Sequence, residues 1–564
     1  MSTTLTNLTK KTRVLLFATH FQQYNGYSKV VYEILCSLAK RSDMQFTLYG
    51  FQKFQVMPNH RTDFPSNVEV YDAFENENPR QQGFGIDQIR GVVKNVKPDV
   101  CIVYNDMMII HQVISNLKLS QKEDGMSFKI IAYIDQVYMN QKKEFIEYVN
   151  QNADYALMFT KHWEDVIVEQ GINLPHGYLP HGFNKDNYYP VPKRLARLYY
   201  GIKPDDFVIL NLNRNQPRKR WDICLKAFAE LVSRYPKENM KLMIGTSTQG
   251  AWNLIEIFER ELKKRNVSLA DGMQHLVVID RPQKMNDEET NILYNIADIG
   301  WNTCDGEGFG LCNFEQAAIG IPQIVPRLGG FIDFFNDDNS IMVEPKMSYY
   351  VDNTRDMVCG EALLCDYADY VEAIESYFFN KELREAHGKA ARASILKNYN
   401  WNDIASKLYG IINEVVGKSA ASAADSPSDL VSEVEKIDID TINKFKSVSS
   451  EAVAVAAVAA VAAVAVVATP VPEPVSTPAP APTPVEEVTQ TQATTPPPTP
   501  EPVAISSTPT TPVAPVAPIA HVTPVASIDS QKLKSKLKSK KKRDEILKLK
   551  KQLDKLLDDN SDDT

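Results

Sequence analysis

Two glutamates, Glu307 and Glu315, lie eight positions apart, with Gly308 and Gly310 between them. They belong to the run Asp305-Gly306-Glu307-Gly308-Phe309-Gly310-Leu311-Cys312-Asn313-Phe314-Glu315, which leads into Gln316-Ala317-Ala318-Ile319-Gly320-Ile321-Pro322. This spacing predicts a tight loop feeding a short helix that stops at Gly320 and Pro322. The amides of Phe309, Gly310 and Leu311 then point outward where the helix begins, a position that welcomes phosphate. Glu307 sits in the loop and Glu315 more than a turn inside the helix. One carboxylate can therefore face a sugar and the other a ribose, with a diphosphate between them.

The segment resembles the signature of retaining glycosyltransferases of family 4, which have the GT-B fold. That pattern is Glu-Gly-Phe-Gly-Leu, three residues, Glu, a small-residue run, then Gly-x-Pro. It is matched at Glu307 through Leu311, at Glu315, at Ala317 and Ala318, and at Gly320 and Pro322. The resemblance implies that Glu307 contacts donor-sugar hydroxyls near the reacting carbon. It implies that Glu315 accepts hydrogen bonds from a ribose diol, each of them charge-assisted, and that Phe309, Gly310 and Leu311 offer amides to phosphate oxygens.

The family also places an arginine and a lysine five apart after a strand, both reaching the diphosphate. Arg214 and Lys219 match that spacing. An arginine fork and a lysine point charge suit two adjacent phosphates. Arg218 and Arg220 make the turn more basic and receive no role. In the loop Tyr24-Asn25-Gly26-Tyr27-Ser28, Asn25 stands where relatives have the first of two glycines, and Gly26 keeps the permissive backbone. The resemblance puts Gly26 close to the diphosphate and acceptor. His181-Gly182 resembles the family's Pro-Asn-Gly-Val segment, which makes His181 a hinge or cleft-lining residue rather than a catalytic one.

One departure matters. Many relatives carry a histidine after the strand that corresponds to Lys129–Tyr133, pointing at the sugar. Here the sequence reads Ile134-Asp135-Gln136-Val137-Tyr138, and Asp135 is the nearest polar candidate to contact a sugar hydroxyl or the acceptor. In retaining GT-B enzymes the donor phosphate often deprotonates the acceptor on the same face, so a missing histidine does not by itself remove turnover. Glu307 and Asp135 are the catalytic expectations.

These residues need a scaffold. Arg13-Val14-Leu15-Leu16-Phe17-Ala18 is apolar enough for a buried parallel strand. Ser28 begins a helical stripe through Val30, Val31, Ile34, Leu35 and Leu38. Strand runs at 46–49, 100–104 and 129–133 continue the alternation, and a second set begins at 207–212 and follows at 241–245, 276–280, 299–302 and 323–325. The pattern predicts an α/β chain of two Rossmann-like doubly wound domains facing a cleft. The expected divisions are an acceptor domain at 1–190, a donor domain at 200–400, a crossover helix at 401–417, a low-complexity linker at 418–529 and a terminal helix at 530–564. The stretch from Asn184 to Pro204, with Pro190 and Pro192, reads as the connection between domains.

The 564 residues carry a net charge of −9, which excludes a general polyanion binder and predicts no specific nucleic-acid partner. Met1 to Arg13 is polar and lacks the apolar core of a secretory signal. Seven dispersed cysteines suit a reducing cytoplasm and show no metal-like spacing. Ala452 to Ala468 is an alanine and valine run of 17 residues, short and weakly apolar for a membrane span. Thr469 to Pro524 reads as an extended, unpacked tether. Lys540-Lys541-Lys542-Arg543, followed by Ile546, Leu549, Leu553 and Leu556, reads as a basic helix that could meet a membrane surface or a protein. Asp438 with Asp440, and Asp562-Asp563, are poor metal candidates, so no metal and no cofactor are expected.

The expected partners are a UDP- or GDP-sugar donor and a glycan, lipid or protein-linked acceptor, with the segment Arg281 to Met285 helping to form the base pocket. Two other readings stay open from residues alone: an epimerase or hydrolase using the same diphosphate grip, and a non-catalytic sugar-nucleotide-binding scaffold.

Overall fold

Strand β1 (Thr12–Thr19) shows why the first half folds as it does. Leu15 and Phe17 enter one apolar layer and Val14, Leu16 and Ala18 the other. A strand buried on both faces belongs in the middle of a parallel sheet covered by helices. In the computed structural model, which describes residues 11–54, 60–75, 77, 82–280 and 285–417, it does. The first lobe adds β2 (Met44–Phe51), β3 (Glu69–Asp72), β4 (Val100–Asp106), β5 (Lys129–Asp135), β6 (Tyr155–Met158) and β7 (His176–Tyr178). Their order is β3-β2-β1-β4-β5-β6-β7, with every pairing parallel.

The second lobe repeats the plan with β8 (Phe207–Leu212), β9 (Met240–Gly245), β10 (Leu276–Ile279), β11 (Ile299–Trp301), β12 (Gln323–Pro326) and β13 (Ile341–Val343). The order is β10-β9-β8-β11-β12-β13, again all parallel. Strand order reverses between β1 and β4 and between β8 and β11. Open α/β sheets leave a crevice at such points, outside the carboxyl ends of the strands. Both lobes are Rossmann-like and doubly wound, so the α/β class holds.

Three features differ from, or add to, the sequence reading. The stretch 184–204 is not a plain linker but contains a helix, Lys193–Tyr200, capped by Pro192 and closed by Gly201 at φ 67°. Its buried Arg197 pairs with Asp298 at 2.6 Å, which ties it to the second lobe. The helix Trp401–Val415 returns to the first lobe, where Tyr409 donates to Asp43 at 2.7 Å. A Cβ on Gly182 would strike the Trp401 indole. Finally, an antiparallel hairpin, β14 (Met347–Val351) and β15 (Gly360–Leu364), follows the second sheet. The Glu361 amide donates to the Met139 carbonyl at 2.7 Å, and Val358 packs among first-lobe core residues.

No helix among the described residues is long and apolar enough to cross a membrane. The expectations for 418–529 and 530–564, for Ala452–Ala468 and for the Asp438 and Asp562 pairs lie outside the described residues.

Candidate active site

β8 delivers the chain to Arg214, and a single 3-10 turn, Pro217–Lys219, swings Lys219 inward. Thr303 Oγ1 donates to the Lys219 carbonyl at 3.1 Å, and the Asp305 amide donates to the Arg218 carbonyl at 3.0 Å. The turn is thus fastened to the loop that carries Glu307. Glu307 is buried, paired with Lys219 Nζ and with Arg218 Nη1, the latter at 3.2 Å. Burial alone would raise its carboxyl. The charges of Lys219 and Arg218 outweigh burial and hold it down to about 2. Arg214 differs from both: its side chain is exposed, and it has no ion-pair partner among the described residues.

Gly310, at φ 90°, turns the loop into the helix Leu311–Ala318. Only glycine takes that conformation cheaply, and a Cβ there would also strike the Phe331 ring. The first amides of a helix have no intrahelical acceptor. Those of Phe309, Gly310 and Leu311 donate to no protein group among the described residues. One full turn on, Glu315 accepts from Tyr294 Oη at 2.8 Å and from Lys29 Nζ at 2.9 Å. Its carboxyl is raised, because burial exceeds the pull of Lys29.

The first lobe presses on this loop. Asn25 caps the helix Gly26–Leu38: its side chain accepts from the Ser28 amide at 2.9 Å and its own amide donates to Ser28 Oγ at 3.4 Å. Asn25 and Ser28 therefore form a capping box. A Cβ on Gly26 would lie 3.0 Å from Leu311 Cδ1, so the two lobes nearly touch there. Asp135 ends β5 and faces Gly308. Tyr27 Oη donates to Asp135 Oδ2 at 2.5 Å, while buried Oδ1 has no partner. Burial pushes the Asp135 carboxyl up to about 6, against the Tyr27 bond and the Arg218 charge. Trp163 Nε1 donates to the Gly308 carbonyl at 2.8 Å.

His181 lies between Phe309 and Phe159, at ring distances of 4.4 and 4.6 Å. Burial lowers its imidazole to about 3, so it is neutral, and neither ring nitrogen has a partner. It lines the interface.

The fold therefore gathers Glu307, Lys219, Asp135, Gly26, Phe309, Gly310, Leu311 and Glu315 at the two switch points, with Arg214 at their edge. Sequence reasoning missed Arg218, which shares Glu307 with Lys219. It also missed Tyr27, Lys29 and Tyr294. Arg218 and Tyr27 lie inside stretches already singled out; Lys29 and Tyr294 carried no local signal. Of the proposed base segment only Met285 is described, and it is buried. No group of three His, Cys, Asp or Glu side chains could hold a metal among the described residues.

Residues 195–394 match the family model described as glycosyl transferases group 1. That match spans most of the second lobe. Over 163 residues the chain is 32% identical to D-inositol 3-phosphate glycosyltransferase 2 of Catenulispora acidiphila, which covers 28% of this chain and 36% of that relative. Mannosylfructose-phosphate synthase of Agrobacterium fabrum is 26% identical over 32% of this chain and 39% of its own length. The chain thus spans little more than a third of the length of these curated relatives. Among solved structures, sucrose-phosphate synthase from Thermosynechococcus elongatus shares the fold with a TM-score of 0.55 at 14% identity, covering 72% of this chain and 100% of that one. Anabaena HepE in complex with UDP and glucose gives 0.54 at 12% identity, with 72% of this chain and 100% of that one covered. At such identities the likeness establishes the GT-B arrangement alone. The matched span contains all the second-lobe site residues, and the first lobe supplies Gly26 and Asp135.

Proposed function

We propose that the chain is a retaining glycosyltransferase that moves a sugar from a nucleoside-diphosphate sugar to a glycan, lipid or protein-linked acceptor. The observation that carries this reading is the asymmetry of the three cations. Lys219 and Arg218 are committed to Glu307, while exposed Arg214 has no ion-pair partner among the described residues and the helix start at Gly310 presents amides that no protein group there accepts. That is a grip for a diphosphate leaving group, because fixed donors stabilise charge that develops as the sugar departs. Lys219 bridges from the sugar ligand Glu307 to the phosphates, and Glu315 takes the ribose diol.

In the proposed reaction the bond from the anomeric carbon to the phosphate oxygen breaks. The acceptor oxygen bonds to that carbon on the same face, and its proton passes to the departing phosphate oxygen. Asp135 replaces the family histidine. Tyr27 occupies one of its oxygens and leaves the other for a sugar or acceptor hydroxyl. A UDP-sugar is the first donor to test, since HepE shares the fold and its structure holds UDP and glucose. All seven cysteines are free thiols, which suits a cytoplasmic site of action. Docking on a membrane surface or protein through the basic terminal segment is part of the proposal, although that segment lies outside the described residues.

The test is product analysis with a donor labelled in the sugar. Label appearing in an acceptor, with unchanged anomeric configuration, supports transfer. Label found only in free sugar or an isomerised nucleotide supports the hydrolase or epimerase reading, and an unaltered donor supports the scaffold.

A further inference from the structure

Glu315 is contested. Lys29, in the first turn of the helix Gly26–Leu38, donates to both its oxygens at 2.9 Å, and Tyr294 holds one of them as well. Lys29 belongs to the first lobe, so this contact spans the cleft. A second carboxylate stands nearby, with Asp287 Oδ1 4.0 Å from the same ammonium. Asp287 opens the helix Asp287–Ile296 and is held by Tyr188 at 2.8 Å and Arg61 at 3.5 Å. The ammonium also lies 4.5 Å from the centre of the Tyr188 ring. Lys29 keeps 21% of its side chain accessible against 6% for Glu315, so the lysine has a way off and the carboxylate does not.

We propose that Lys29 gates the ribose subsite: it competes with the ribose diol for Glu315, and nucleotide binding moves it towards Asp287. This rests on the glycosyltransferase reading of Glu315. A carboxylate has about four acceptor sites. Lys29 and Tyr294 take three of them, and a vicinal diol needs two, so all three ligands cannot be served at once. Releasing a buried carboxylate from its one cation among the described residues is unfavourable unless new donors replace it and the cation finds another partner. The diol meets the first condition and Asp287 the second. A two-position ammonium between two carboxylates is the bistable element that a ligand can bias. Lys29 is a positioning residue here and touches no reacting atom.

The test begins with calorimetric titration of UDP and GDP, carrying forward whichever binds the wild type more tightly. Lys29→Met is expected to bind that nucleotide about tenfold more tightly at pH 8, equivalent to ~1.4 kcal/mol. The 2′,3′-dideoxy form of the nucleotide should bind the two proteins alike, because it has no diol to compete. Asp287→Asn, which removes the alternative partner, is expected to bind the intact nucleotide about tenfold more weakly, again ~1.4 kcal/mol. Melting scans check that each variant is folded. No gain in Lys29→Met, or an equal gain for the dideoxy nucleotide, overturns the gate. If Lys29→Met does not fold, Asp287→Asn decides: unchanged or tighter binding overturns the proposal. A wild type that binds neither nucleotide sinks the glycosyltransferase reading and the gate with it. A wild type that binds while both variants match it sinks the gate alone.

Discussion

Replacing Asp135 with asparagine should make this protein more stable and less active. The Asp135 carboxyl is displaced from 3.8 to about 6, chiefly by burial, and its Oδ1 has no hydrogen-bond partner. Between those pH values the folded chain holds more protons at this site than the unfolded chain, so stability falls as pH rises through the window. At ~1.4 kcal/mol per pH unit, the gap amounts to about 3 kcal/mol of destabilisation above pH 6. Asparagine removes the buried charge and still accepts from Tyr27. Urea unfolding at a series of pH values measures the effect. Asp135→Asn should match the wild type near pH 3.8, pull ahead as pH rises, and stand about 3 kcal/mol more stable at pH 7. Sugar transfer should fall tenfold or more, since the variant lacks the anionic acceptor for a substrate hydroxyl. A variant less stable than the wild type at pH 7, or a difference that ignores pH, refutes the reasoning.

Three further substitutions probe the same geometry. Lys219→Met should lower kcat by a factor on the order of a hundred or more, read by donor turnover, because it removes a fixed cation at the developing charge. The depressed Glu307 carboxyl contributes stability that is present above pH 4.5 and lost as pH falls towards about 2; without Lys219, acid unfolding should begin at a higher pH. Arg214→Met should raise the donor KM about tenfold with little change in urea midpoint, because no protein carboxylate loses a partner. Gly308→Ala should lower transfer, since the added Cβ meets Asp135 Oδ1 and displaces that carboxylate; activity at wild-type level would mean the two lobes do not meet there during turnover.

The sequence made the two sheets legible because parallel strands buried on both faces read as unbroken apolar runs, as at Arg13–Ala18 and Phe207–Leu212. The run from Glu307 to Glu315 was legible because its chemistry is local: a left-handed glycine, a helix mouth and a carboxylate one turn on. What could not be read is what distant segments bring together. β14 begins with largely exposed residues and has no clean alternation, so the hairpin and its hold on Met139 left no trace. The grip of Arg218 on Glu307 joins residues 89 positions apart, and that of Lys29 on Glu315 joins residues 286 apart. The first depends on how the second sheet brings two of its loops together and the second on how the lobes face each other, and no window of sequence encodes either. Asn25 was visible as a departure from the family glycine, but its meaning as a helix cap needed the backbone around Ser28.

The most direct measurement is a crystal structure of the full chain soaked with UDP or GDP, whichever binds in titration. The diphosphate is expected between Arg214, Lys219 and the amides of Gly310 and Leu311, with the ribose hydroxyls on Glu315. A nucleotide seated elsewhere, with Arg214 and the helix mouth untouched, would contradict it.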